Sequence, residues 1–471
     1  MIPVSYGGLV SKHEHFIVLR GSAWIEISIL LPLEVITLPA FSSPPSDLCD
    51  VLIIGGGPSG STAAALLAER GVDVVLIEKD CHPRFHIGES LLPRSLPIFE
   101  RLGVSEEISR IGVFKPGAQF VSDETGMSSE YDFATGLAHD YTHAFQVKRA
   151  EFDHALFMNA QRKGARAYEQ TVVTEVNLVK ANGRRSVTAR STEARTKLFA
   201  PKLIIDASGR DTFLSRRLGL KVVQKSGSTA AVYAHFRNVA FPGNKPPGHI
   251  TIHLTRRGWF WVIPLPGGLT SVGFVGGQET FKDRRDNLEA FFFDLMRDSP
   301  TVSSRMKRAI LASEVLGTAD YSYCAKASCG EGYLMIGDAF AFLDPIFSTG
   351  VMFAMMSGES AAEIAMKWLE DAQVGLTMAR RAERRARHSL KKYAWFIHRI
   401  NHPVFRDMFM APSNRLQMRA GVVSLLAGNM RSGWRDQLPL LAFKCMFYAL
   451  SIGYAFGARV MPAATHRTSL R

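Results

Sequence analysis

The stretch Asp50-Val-Leu-Ile-Ile-Gly55-Gly-Gly57-Pro58-Ser59-Gly60 restricts what this chain can fold into more than any other. An apolar run of strand character enters a glycine-rich turn, and an alanine-rich segment of helical character, Ser61 to Arg70, leaves it. In a βαβ unit of this kind Gly55 permits the tight turn and Gly57 lets a pyrophosphate approach the backbone. Gly60 lets the helix pack on the strand, while Pro58 and Ser59 fall at the helix N-terminus beside the phosphates. A second β-rich run, Val72 to Ile77, ends in Glu78, eighteen residues after Gly60. A carboxylate at that point is placed to bind an adenosine ribose hydroxyl. GxGxxG alone is a weak signal, but strand, helix, second strand and acid in this order predict a bound dinucleotide.

Further segments narrow the use of that dinucleotide: Gly88-Glu-Ser90, Phe114-Lys115-Pro-Gly117, Trp259-Phe-Trp261-Val-Ile-Pro264 and Asp344-Pro-Ile-Phe347-Ser348-Thr349-Gly350-Val351. Together they resemble the flavin-dependent halogenases, and the resemblance runs from about Asp50 to about Pro412. The tryptophan string and the lysine motif are its specific parts; the fingerprint alone also fits aromatic hydroxylases and isoprenoid reductases. The resemblance implies an α/β fold: an FAD-binding Rossmann-type lobe like those of glutathione reductase and p-hydroxybenzoate hydroxylase, a mixed-sheet substrate lobe, and a helical C-terminal region. It implies FAD used as FADH2, with dioxygen and chloride or bromide. A flavin hydroperoxide then oxidises the halide, and the electrophile halogenates an electron-rich aromatic.

The same resemblance assigns roles. Lys115 matches the lysine that receives hypohalous acid at the far end of a channel from the flavin, as a haloamine or by hydrogen bonding. A lysine suits either task, being a flexible ammonium whose pKa falls on burial. Ser348, Thr349 and Gly350 match the halide-holding segment at a helix start, where exposed N–H groups and the dipole favour an anion. Gly350 and Val351 also lie against the flavin. Arg84 is placed to meet the pyrophosphate, Ser90 and Arg149 belong to segments that border the cofactor, and Asp338 of Gly337-Asp338-Ala339 matches the aspartate that holds the ribityl chain. Trp259 and Trp261 alternate along a strand and so share a face. On the family pattern that face, with Phe347, shields the substrate from the flavin. Phe347 stands where tryptophan-specific members carry a glutamate, so the chain resembles the phenol and pyrrole branch and free tryptophan is not its expected substrate. Some members of that branch act on acyl groups tethered to carrier proteins.

No second GxGxxG is visible for a nicotinamide cofactor, which predicts a separate flavin reductase supplying FADH2. Two other readings stay open: a monooxygenase or isoprenoid-type reductase of the same fold, and a non-catalytic flavin-binding or membrane-associated partner.

The domain organisation expected is a loosely ordered extension over residues 1–46, interleaved lobes over 47–370, and a basic helical region over 371–471. Within the lobes, 47–115, 146–220 and 320–370 serve the cofactor, and 116–145 and 225–319 form the substrate sheet. Of 471 residues, 46% are hydrophobic, and the five cysteines lack the spacing of a zinc site or a disulfide framework, which favours a reducing cytoplasm. The net charge of +13 is one-sided: from Asp371 onward 17 Lys and Arg face four acids, so the preceding 370 residues balance. Seven of those cations fall between Arg380 and Lys392 (Arg380, Arg381, Arg384, Arg385, Arg387, Lys391, Lys392). No nucleic-acid motif accompanies them. An acidic carrier protein or an anionic membrane surface fits such a lobe better. Leu440 to Val460 is mostly apolar and reads as a docked C-terminal helix starting at Pro439, with a peripheral contact to the inner membrane as one use.

Overall fold

The computed structural model describes residues 47–137, 142–223, 229–241, 248–282, 287–318, 322–428 and 434–455. The expectations for residues 1–46 and for Phe456 to Val460 lie outside them. The first strand, Asp47–Ile54, sits at the centre of a parallel sheet between Val74–Ile77 and Thr196–Asp206, with Arg166–Tyr168 and Tyr333–Met335 outside these. Val51, Leu52 and Ile53 are buried completely, as a strand covered on both faces requires. The helix Pro58–Ala68 takes a proline in its first turn and packs through Ala63 to Ala65. Its neighbour is the 21-residue helix Gly350–Glu370, and Gly358 of that helix lies against the backbone of Ser59. The turns that follow three of the parallel strands, at Gly55, Glu78 and Ala207, open at the carboxyl ends of the strands, where ligands of such folds bind.

A second, largely antiparallel sheet runs in the order Ile310–Leu311, Thr229–Arg237, Leu269–Gly277, Gly258–Leu265, Ile250–Leu254, Gly117–Ser122, Ser128–Asp132. Its strand Gly258–Leu265 shows why period two matters. Phe260 and Val262 face a cluster with Phe274 and Phe292 beneath the helix Leu288–Asp298, while Trp259, Trp261 and Ile263 face the main core. Fold class and sequence expectation agree.

Beyond Gly350 the chain is helical: Ala372–Ile397 follows a single capping residue, Asp371, whose carboxylate accepts N–H bonds from Gln373 and Val374. Pro403–Met410, Met418–Leu426 and Trp434–Ala455 complete it. One expectation is corrected here. Pro439 does not start the last helix but lies inside it, because the helix begins at Trp434. As the sixth residue of the helix, Pro439 leaves one carbonyl of the first turn without its intrahelical donor. No helix among the described residues is long and apolar enough to cross a membrane.

Candidate active site

At the carboxyl ends of the parallel strands lies a cavity of about 340 Å³. The fingerprint turn forms one wall. Gly55 has φ +105°, and a Cβ there would strike the backbone of Ala207; a Cβ on Gly60 would be driven into the Gly55 carbonyl. A Cβ on Gly57 would meet only Arg84 Nη2, at 3.7 Å, so this residue leaves its side of the cavity open for a ligand. Pro58 and Ser59 line the same wall at the helix N-terminus.

Glu78 and Arg84 border the cavity too, but their charges are already shared. Glu78 Oε2 accepts from the Gly56 N–H at 2.8 Å and from Arg84 Nη2 at 3.3 Å, and Arg84 Nη1 reaches Asp153 at 3.4 Å. Arg149 grips Asp153 with two bonds of 2.8 and 2.9 Å and donates its third nitrogen to the Ile87 carbonyl at 2.9 Å. Burial raises the Asp153 pKa, yet Arg149 above all, with His86 and Arg84, outweighs it and holds the carboxyl below its usual value. Asp338 lines the cavity, and burial pushes its carboxyl up to about 6 against the pull of Arg149 and Arg210.

The segment expected to hold halide is a short 3-10 turn, Pro345–Phe347, then Ser348 in the left-handed region at φ +56°, then the helix from Gly350. Asp344 caps the turn by accepting the Ile346 N–H at 3.2 Å. Ser348, Gly350 and Val351 line the cavity. The first-turn N–H groups of a 21-residue helix therefore begin at its wall, with no intrahelical acceptor. Thr349 is buried but is not part of the wall, and nor is Phe347, which packs toward Phe409 with ring centroids 6.4 Å apart.

Trp259 and Trp261 close the cavity on the second sheet, with ring centroids 5.9 Å apart. Trp261 Nε1 donates to Ser271 Oγ at 3.0 Å, and its ring lies tight against Gly273, where no side chain would fit. Lys115 ends the strand Gly112–Lys115 and is only 1% exposed. Its Nζ donates to Ser90 Oγ at 2.8 Å and to the Leu91 carbonyl at 2.7 Å, and sits 5.2 Å from the centre of the Phe133 ring. Burial alone lowers its pKa to about 7. Ser90 thus borders the cavity and holds the amine behind it.

Four residues of this site were not singled out from the sequence. Glu89 is 1% exposed, lines the cavity, and meets His235 Nε2 with Oε1 at 2.8 Å, while its buried Oε2 has no partner among the described residues. Phe85 covers that pair edge-on to His235 at 5.7 Å. No sequence signal links positions 89 and 235. Asp153 was findable: it lies one helical turn after Arg149, the spacing at which side chains meet.

These residues fit FAD. The open glycine turn and helix N-terminus suit a pyrophosphate, Glu78 with Thr171 to Val173 suits the adenosine end, and the Asp338 carboxyl suits a polyol. A model of the family described as FAD binding domain matches residues 48–389. A tryptophan 2-halogenase of Chondromyces crocatus is 35% identical over 319 residues, covering 66% of this chain and 60% of that protein. A 1H-pyrrole-2-carbonyl-(peptidyl-carrier protein) chlorinase of Pseudomonas fluorescens is 31% identical over 413 residues, covering 82% of this chain and 90% of its own length. Among solved structures, a flavoprotein/dehydrogenase from Cytophaga hutchinsonii superposes with TM-score 0.77 at 26% identity, covering 87% of this chain and all of that one.

Proposed function

Because the chain belongs to the flavin-dependent halogenases, oxidoreductases built on an FAD-binding domain, we propose that it halogenates an electron-rich phenolic or pyrrole-type substrate held on a carrier protein. The observation that carries this reading is Lys115: an amine buried without a carboxylate partner, with a pKa near 7, hydrogen-bonded to a serine of the cofactor cavity wall. When bound as FADH2, the flavin with dioxygen supplies the oxidising equivalents that convert chloride or bromide to hypohalous acid. The protein's own part is binding, shielding and transfer. The N–H groups around Ser348, Thr349 and Gly350 hold the halide, and Arg149, Ser90 and Asp338 border the cofactor. Trp259 and Trp261 keep the aromatic substrate from the flavin face. At Lys115 the neutral amine attacks the halogen of hypohalous acid, an N–halogen bond forms, and hydroxide leaves and takes the amine proton as water. The aromatic ring then takes the halogen and the amine recovers its proton from the ring. An electron-rich ring needs no carboxylate at position 347, where Phe347 stands. Free tryptophan should therefore react poorly, although the Chondromyces relative is named for tryptophan.

A separate reductase delivers FADH2 in this reading, as membership of the family implies. NADPH alone should leave the bound flavin oxidised over many turnover times, followed as flavin absorbance under anaerobic conditions. Rapid bleaching without a reductase would favour a monooxygenase of the same fold. The five cysteines, all free, suit a reducing cytoplasm.

In this reading the carrier docks on the basic helix Ala372–Ile397. Arg380, Arg381, Arg384, Arg385 and Lys391 are exposed on it, and the Pseudomonas relative is named for a carrier-bound pyrrole. Arg387 is not part of this surface. It pairs with Glu383 at 2.7 Å and donates to the carbonyls of Ala325 and Lys326, so it fastens the helix to the cofactor lobe. Arg384→Glu with Arg385→Glu should slow halogenation of a carrier-tethered aryl group by about tenfold and leave the free acid unaffected. Equal rates for tethered and free substrate, unchanged in that variant, would remove the carrier from the account.

A further inference from the structure

The last helix, Trp434–Ala455, buries one side and leaves the opposite side bare. Phe443 and Phe447 are 3% and 4% exposed and stack among Phe396, Phe405 and Trp395. On the far side Leu438, Leu441, Cys445, Tyr448 and Ile452 follow one another at intervals of three and four and are all exposed, Leu441 by 55% and Ile452 by 61%. That stripe is about 21 Å long, carries no charge, and is larger than the scattered apolar residues ordinary surfaces show. We propose that it is a docking face for an anionic lipid bilayer, on which the helix lies in the plane of the headgroups.

The surroundings select this occupant. Tyr448 Oη accepts bonds from Trp395 Nε1 and Arg399 Nη2, both at 3.1 Å, so an aromatic pair and a cation border the stripe. Lys444 lies 4.9 Å over the Trp395 ring, where burial first and then the neighbouring Lys392 lower its pKa. Apolar side chains flanked by Trp, Tyr, Lys and Arg are the composition of helices that lie in a membrane interface. Anionic headgroups also answer the lobe's charge, since the entire net +13 lies from Asp371 onward. A three-four stripe would equally serve a coiled coil with a second copy. Such a dimer would bring two strongly basic lobes together with Lys444 and Arg399 at the seam, which repels. An acidic carrier would satisfy the cations but leave an uncharged ridge without polar partners. This inference is independent of the halogenase reading.

The test is co-flotation of the full-length, FAD-loaded protein with vesicles of phosphatidylcholine alone or with phosphatidylglycerol added. Wild type should float with the anionic vesicles, less so at high salt, and hardly at all with neutral ones. Leu441→Glu with Ile452→Glu should cut the bound fraction at least about tenfold while keeping FAD content and the halogenation of free substrate, since neither residue borders the cavity. No flotation on any composition, or flotation the double variant leaves unchanged, overturns the proposal. So does a dimer by light scattering that the variant splits, which would assign the stripe to a second copy. Selective loss of carrier-tethered turnover without vesicle binding would assign it to the carrier.

Discussion

Lys115→Met should abolish halogenated product, by on the order of a thousandfold or more, the upper part of the range for removing a group that acts on the transferred atom. FAD content and oxygen consumption should stay near wild type, because Lys115 does not border the cofactor cavity. The apolar chain replaces the stem in a site where only Ser90 Oγ and the Leu91 carbonyl lose a partner. The pH dependence has a definite sign. The folded pKa is about 7 against an ordinary 10.5, so between those values the unfolded chain binds a proton that the folded chain does not. Wild-type stability therefore gains from this group as pH rises through that window, and carries the full cost of the buried charge below pH 7. The stability advantage of Lys115→Met over wild type should be largest below pH 7 and shrink toward pH 10, measured by urea unfolding of both proteins. Halogenation by wild type should fall below pH 7, as the amine that attacks the halogen becomes protonated. A flat stability difference across that range would mean that the amine stays charged in the fold.

Gly60→Val has the second largest expected effect. A side chain there has no room between the Gly55 carbonyl and Ala207 Cβ, both in the wall that receives the pyrophosphate. The cost is about 3 kcal/mol or more, so the Tm should drop by roughly 3 °C or more and the purified protein should be colourless. Gly57→Ala provides the contrast. Its new methyl group meets only the end of the Arg84 side chain, so the apoprotein should melt as wild type does, while FAD binding weakens. Similar melting losses in both variants would show that Gly57 supports the fold rather than the ligand.

The parts of the molecule legible in sequence were those specified locally. The fingerprint strand, turn and helix, the second strand and Glu78 follow one another in the chain, and so did the alternation that put Trp259 and Trp261 on one face. The burial of Lys115 was not legible. It depends on Phe133 and on the loop at Ser90 and Leu91, and Tyr131 beside Phe133 donates to the Phe409 carbonyl, 278 residues away. The same holds for Glu89 and His235, which lie 146 residues apart on a loop and a sheet strand. Pro439 misled because proline favours a helix start, and here packing of Phe443 and Phe447 sets the helix instead. Arg387 looked like one more solvated cation of a basic run, but the i to i+4 spacing from Glu383 and the facing carbonyls make it a fastening.

The central claim is that halogen passes from the cofactor cavity through Lys115 to the substrate. Mass spectrometry of the products formed by wild type and Lys115→Met tests it, with a separate reductase supplying FADH2, chloride and bromide both present, and phenolic and pyrrole acyl groups offered free and on a carrier. The account predicts a halogen isotope pattern on the aromatic product of wild type, its absence with Lys115→Met, and hypohalous acid still trapped from that variant by an added thioether. Hydroxylated product from wild type, or halogenated product from Lys115→Met at the wild-type level, would contradict it.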